Sequence, residues 1–181
     1  MPGRAYGPRV ETWDAIRARR NVRRYADRPI ERSDLDRILE AGRRTPSSVN
    51  QQAWDFVAVT DRERLRELSS IWRYASHVAT SAATIALVIP VSEDRDERDT
   101  FWCDAGQATM SIMFAAADLG IGSGHASVGD QALARRILGL PEDREVVILV
   151  ALGGYPAGRP LKPISRPKRR AFDDVVHRER W

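Results

Sequence analysis

Apolar residues recur along this chain in two rhythms, and each rhythm marks a kind of element. Val10, Trp13 and Ile16 fall every third residue, which predicts a first helix over 10–19 with one apolar face. Ser33-Asp34-Leu35-Asp36 has the form of a capping box with Asp36 in place of the usual Glu. It opens a helix with Leu35, Ile38, Leu39 and Gly42 on one side. Pro46 closes that helix or begins a short new one. Phe56-Val57-Ala58-Val59-Thr60 reads as a strand, and Asp61 after it can cap a helix carrying Leu65, Leu68 and Trp72. The unbroken β-branched and apolar run over 84–91 marks a strand buried on both faces. A charged stretch over 92–99 follows and reads as a solvated loop or helix start. The longest predicted helix, 100–119, is apolar on most sides and must therefore be covered on most sides. A short helix over 130–138 ends at Gly139 and Pro141, and a second strongly apolar strand covers 145–152. Gly153-Gly154-Tyr155-Pro156 ends that strand, and a polar, proline-punctuated tail runs to Trp181. Three or four strands among five or six helices make an α+β domain.

At 181 residues with 43% hydrophobic content, the chain is expected to form one domain over 1–181, with 1–9 as a flexible lead. A formal charge of +4 is basic without being extreme, and nearly all the basic residues are arginine. Lys162 and Lys168 are the two lysines. That bias is weak evidence for nucleic-acid binding. A single cysteine, Cys103, excludes an intrachain disulfide, suits a reducing compartment, and sits in a helical stretch where a buried, inert thiol is expected. The first residues lack the apolar core of a signal peptide, and the run over 82–91 is too short to span a bilayer. A cytoplasmic location is expected.

Candidate chemistry begins with five arginines among the nine residues 17–25. Guanidinium groups clustered at a helix end form either an anion site or a solvated basic face. Leu119-Gly120-Ile121-Gly122-Ser123-Gly124 has the look of a dinucleotide loop, but it follows a helix where that fingerprint must follow a strand. Its glycines would still let backbone approach a flat ligand. His77, His125 and His177 have no metal-ligand spacing, and Ser127 lies in no nucleophile elbow. Arg19, Arg20 and Arg23 could neutralise a phosphate, Ser47, Ser48 and Asn50 offer hydroxyl and amide groups, and Lys168 and Arg170 could approach from the tail. Many binding groups beside little acid–base machinery point to a cofactor that carries the chemistry.

Arg19-Arg20-Asn21-Val22-Arg23-Arg24-Tyr25, followed by Pro46-Ser47-Ser48-Val49-Asn50-Gln51-Gln52-Ala53-Trp54-Asp55-Phe56, resembles the nitroreductase family of FMN-dependent oxidoreductases. Asp104-Ala105-Gly106-Gln107-Ala108, the stretch 115–123, Gly153-Gly154-Tyr155-Pro156 and the ending 175–181 are similar to that family in the same order. The resemblance implies a central, mostly antiparallel sheet flanked by helices, in an intertwined homodimer with the tail 157–181 packed on the partner. It implies FMN at the subunit interface: Arg19, Arg20 and Asn21 on phosphate and ribityl, and Arg23 at the pyrimidine edge. Pro46, Ser47, Ser48 and Asn50 would reach the same flavin from the other subunit, and Lys168 and Arg170 would complete the phosphate site. A loop over 125–128, with Ala126 and Ser127, would point a backbone N–H at the flavin N5. NADH or NADPH would reduce the flavin, and a small organic acceptor such as a nitro compound or quinone would reoxidise it in ping-pong fashion. Two other readings are a specialised flavoprotein of the same fold (reductive dehalogenation, flavin fragmentation, or binding with little turnover) and a basic nucleic-acid-binding protein. In the leading reading neither nucleic acid nor membrane is a partner. Asn21 stands where the family has Ser, Ala53 where it has Pro, and the 124–128 stretch lacks the family's aromatic and paired-glycine pattern.

Overall fold

A computed structural model of the chain describes residues 11–155 and 161–181. The expected lead at 1–9, Val10 of the first helix, Pro156 and the start of the tail lie outside the described residues. Five helices appear among the rest: α1 (Thr12–Ala18), α2 (Arg32–Arg43), α3 (Arg62–Leu68), α4 (Arg95–Asp118) and α5 (Gln131–Leu138). Four strands accompany them: β1 (Asp55–Val59), β2 (Ala83–Pro90), β3 (Ile121–Ser127) and β4 (Arg144–Gly154). They form one sheet in the order β1-β2-β4-β3, and every neighbouring pair is antiparallel. This is the α+β architecture expected.

Because side chains alternate across a strand, β2 sends Ile85, Leu87 and Ile89 to one face and Ala86 and Val88 to the other. The first face packs on α2 and α4 through Ile38, Phe101, Ala105, Ile112 and Met113. The second packs on α3, α5 and a helical turn at Ser76–Thr80, through Leu65, Leu68, Val78 and Ala134. All of β2 except Pro90 is buried, as its unbroken apolar run requires.

The first helix leaves its apolar face open, and three expectations need correction. Helix α1 buries Ala15 and Ala18, while Trp13 and Ile16 are 66% and 46% exposed, so its three-residue rhythm marks a face that this subunit leaves open. Ser33 does not cap α2: the helix opens two residues earlier, after Glu31, with no side-chain cap. The long helix starts at Arg95, because the Asp94 carboxylate accepts from the backbone N–H of Asp96 and Glu97 and turns the charged run into an exposed first turn. The stretch 121–127 is a strand, since Gly122 to Ser127 pair in register with Gly153 to Ile148 of β4. Other local readings stand. Asp61 caps α3 by accepting from Arg64 N, and Gly139 closes α5 at a φ of 67°, while Asp130, expected as the first residue of α5, is its cap and accepts from Leu133 N.

Helix α4 is buried on most of its circumference, from Phe101 to Ala117. Its one open stripe runs through Cys103, Gly106, Gln107, Met110 and Phe114, spaced three and four apart. Met113 is fully buried in the subunit's own core, so it does not belong to that stripe.

Candidate functional site

After α1 the chain turns extended at Arg19 (φ −57°, ψ 130°), bridges to the outer edge of β3 at Asn21, and crosses to the end of β4 at Ala26. Val22 N donates to Ser123 O at 2.8 Å, and Ala26 N donates to Gly154 O at 2.9 Å. Glycines make this close approach possible. A Cβ on Gly124 would lie 2.3 Å from the Val22 carbonyl oxygen, and one on Gly153 would lie 2.6 Å from the Tyr25 ring. The space these glycines leave is therefore taken by the chain's own arginine segment. Tyr25 bolts the segment down, its hydroxyl lying 2.8 Å from Val22 O and 3.2 Å from Ala151 O. Burial raises its pKa and keeps it a donor.

Along this segment Arg19 Nη1 reaches the Asn21 side-chain oxygen (3.4 Å) and Met113 Sδ of α4 (3.9 Å). Arg20 lies over the Tyr155 ring at 5.9 Å and donates to Lys162 O at 3.4 Å. Arg19 and Arg23 carry no ion pair among the described residues. Two guanidinium charges left without carboxylates beside a sheet edge are the chemistry of an anion site. Their field is felt nearby: burial first, then Arg19 and Arg23, lowers the pKa of His125.

Strand parity sets what the edge offers. In a β-ladder a residue's N–H and C=O point to the same side. Ser123 O turns away from β4 to meet Val22, so the amides of His125 and Ser127 also face the free edge, while that of Ala126 faces β4. The expected edge amide is therefore that of Ser127 or His125. Ala126 is buried.

The second predicted group forms a separate structure. Pro46 to Asn50 leave α2 as a short turn at Ser48–Asn50, held by Ser47 Oγ accepting from Gln52 N (2.9 Å) and by Ser48 N donating to Asp104 Oδ2 (3.0 Å). Gln107 Nε2 holds the other Asp104 oxygen at 3.2 Å. Val49, Asn50 and Gln52 all have positive φ, and Val49 is 92% exposed. That is a strained arrangement for a β-branched residue, and such strain gathers at ligand-facing turns. The turn and α4 border an open cleft of about 440 Å³ lined by Pro46, Ser47, Ser48, Cys103, Asp104 and Gln107. Cys103 is exposed here, contrary to the expected buried thiol, because it lies on the open stripe of α4. Cys103→Ser is accordingly expected to change thermal stability by less than about 0.5 kcal/mol, as surface substitutions do, which a melting curve checks.

The two groups meet opposite parts of α4. Arg19 lies at Met113 and Ser48 at Asp104, nine residues apart, which is roughly 14 Å along the axis and about half a turn around it. A single subunit does not bring them together. Nor does it bring up the tail cations. The tail meets the arginine segment at Ile164 N to Arg17 O (3.1 Å) and at Lys162, whereas Lys168 and Arg170 stand exposed and Arg170 donates to Asp174 O within the tail. Phe172, Val175, Val176 and Trp181 of the tail are exposed too.

His77, unremarked by any motif except as a non-ligand, packs under Gly124. Burial lowers its pKa, opposed by the backbone of Gly124 and Tyr74, yet neither ring nitrogen makes a well-formed hydrogen bond. No cluster of potential metal ligands exists among the described residues, and no described helix is long and apolar enough to cross a membrane.

Comparison with known proteins agrees with this architecture. The model of the nitroreductase family matches residues 16–84 and 70–155. A protein of Archaeoglobus fulgidus named as an NADH dehydrogenase/NAD(P)H nitroreductase is 34% identical over 170 residues, covering 92% of this chain and 96% of its own. An FMN reductase [NAD(P)H] of Bacillus subtilis is 24% identical over 178 residues, covering 90% and 71%. Among solved structures, the NADPH:FMN oxidoreductase of Vibrio harveyi complexed with NAD+ superposes with a TM-score of 0.79 at 25% identity, covering 92% of this chain and 76% of that one. With the sheet order, the arginine segment on the β3 edge and a family match over most of its length, the chain belongs to the nitroreductase family and is an oxidoreductase of that family.

Proposed function

We propose that the chain is an FMN-dependent oxidoreductase that takes hydride from NADH or NADPH and passes it to a small organic acceptor, a nitro compound or a quinone. It works as a homodimer whose two flavin sites each draw on both subunits. The observation that carries this reading is the split site: Arg19, which has no ion pair among the described residues, at one part of α4, and the strained Pro46 to Asn50 turn at the opposite part. Two copies can join what one copy keeps apart. The relatives' names supply the cofactor class, since they include an FMN reductase and an NADPH-flavin oxidoreductase.

The residues present fit FMN. Arg19 and Arg20 offer charge-assisted bonds to the phosphate and Asn21 an amide to the ribityl chain. Arg23 offers a cation to the pyrimidine edge, and the free-edge amide of Ser127 or His125 a donor to the ring. Pro46, Ser47, Ser48 and Asn50 would come from the second subunit, and Lys168 and Arg170 from the tail. When bound, FMN supplies a hydride acceptor at its N5. The protein's part is to bind the phosphate, orient the ring and leave room above it for reductant and acceptor in turn, so no side chain has to act as nucleophile.

The purified protein is expected to be yellow and to consume NADH or NADPH only with FMN bound and an acceptor present. Protein that neither retains FMN nor binds added FMN would overturn the reading. Arg20→Ala is expected to weaken FMN binding roughly ten- to a hundredfold, the loss of one charge-assisted hydrogen bond, read by quenching of flavin fluorescence. Unchanged binding by a folded variant would remove Arg20 from the site.

A further inference from the structure

Every buried side-chain nitrogen or oxygen without a hydrogen-bond partner among the described residues belongs to one of two histidines: Nδ1 and Nε2 of His77, and Nδ1 of His125. Such orphans are few in folded proteins, and each calls for a reason. His77 is enclosed at both nitrogens and only fills space. His125 differs, because only Nδ1 is sealed while the residue as a whole is partly open.

Position explains what the open edge faces. His125 stands opposite Val150 on β4, and Val150 belongs to the face packed on α4. The imidazole therefore leaves the sheet on the α4 side, where Arg19 reaches Met113. Burial and the charges of Arg19 and Arg23 keep it neutral at neutral pH, and His77 beyond Gly124 is kept neutral by burial in the same way. A neutral imidazole has one ring proton. With no acceptor at the sealed Nδ1 and two guanidinium charges nearby, the favoured tautomer leaves Nδ1 bare and carries the proton on Nε2, at the open edge.

We propose that His125 is a positioning residue for the oxidising substrate, donating its Nε2–H to a nitro or quinone oxygen. This deepens the flavin-site reading and rests on it. The backbone amides at His125 and Ser127 lie in the sheet edge, available to a flavin ring, whereas the imidazole stands off that edge toward α4. It is thus free to meet a second molecule stacked on the ring. A donor aimed at an oxygen that gains electron density during hydride transfer favours the transition state over the bound substrate.

The test uses the FMN-loaded protein with p-benzoquinone and, separately, ferricyanide, an acceptor that takes single electrons and no hydride and so needs no oxygen held over the ring. In His125→Phe, which keeps the backbone amide and is assayed with FMN saturating, the ratio of quinone to ferricyanide turnover is expected to fall roughly ten- to a hundredfold, mostly in kcat. His125→Gln, which restores an N–H donor, is expected to recover most of the ratio. Equal losses with both acceptors, equal behaviour of the Phe and Gln variants, or FMN lost from a folded variant would each overturn the proposal. If the Phe variant does not fold, His125→Leu carries the same comparison. Wild-type protein that binds no FMN would show at the outset that the underlying reading had failed.

Discussion

Gly124→Ala is expected to lower thermal stability markedly and to abolish tight FMN binding in one step. The new Cβ would sit 2.3 Å from the Val22 carbonyl oxygen, a backbone atom that no rotamer change can move away. Relief requires Val22 to leave β3, which breaks the 2.8 Å bond from Val22 N to Ser123 O and drags Arg19 to Arg23 with it. Forcing extra volume into a packed contact costs about 1–3 kcal/mol, and a lost hydrogen bond adds about 1 kcal/mol. A combined loss of about 2–4 kcal/mol is expected, with FMN affinity reduced at least tenfold. Chemical denaturation and flavin titration measure the two effects. A variant within about 0.5 kcal/mol of wild type that holds FMN normally would show that the arginine segment does not depend on this contact.

Gly106→Arg is expected to leave each subunit folded and yet empty the flavin site. A Cβ at Gly106 meets nothing within 4 Å in the subunit, so the side chain projects from the open stripe of α4 into free space. In the proposed dimer that stripe faces a second copy, and a charged, bulky group there would hold the helices apart. Losing the partner's share of the pocket removes several hydrogen bonds to the flavin, so affinity should drop roughly a hundredfold or more. A melting transition of the isolated subunit should persist, since nothing inside the subunit is displaced, though at a lower temperature without partner and flavin. Sedimentation decides the matter. A variant that remains dimeric with full flavin would place the shared surface elsewhere, and a wild-type monomer holding FMN at full affinity would remove the shared site altogether. Met113 is unsuitable for this test, because its full burial in the subunit makes any charge there a folding defect.

How much of this was legible in the sequence depended on whether the cause was local. The apolar run of β2, the Asp61 cap and the Gly139 stop all act within a few residues, and each was readable. The strand at 121–127 was not. Gly122 and Gly124 weaken any strand signal, and only pairing with β4 on one side and the arginine segment on the other makes a strand of them. Those glycines were read as room for a ligand and turned out to be room for Val22 and Tyr25, a contact across a hundred residues of chain. The α1 rhythm was read as a helix with one apolar face, but what covers that face was not legible, since periodicity reports that a face is apolar and not what packs on it. The arginine and Pro46 groups were both identified from motif spacing, but their lodging at opposite parts of α4 appeared only in three dimensions.

The strand order has a consequence for how the chain is made. Strand β2 is the most thoroughly buried element, yet one of its two neighbours, β4, lies roughly fifty residues further along. At the ~5–20 residues per second of synthesis, roughly three to ten seconds pass in which β2 can pair with β1 but not with β4. Throughout that interval Ile85, Leu87 and Ile89 wait with one ladder edge open, and α4, which packs on them, is emerging at the same time. An apolar strand with a free edge invites pairing with another nascent chain. The segment from Ala83 to Pro90 is therefore where crowding of ribosomes, or a pause before β4, would turn this protein toward aggregates rather than toward its sheet.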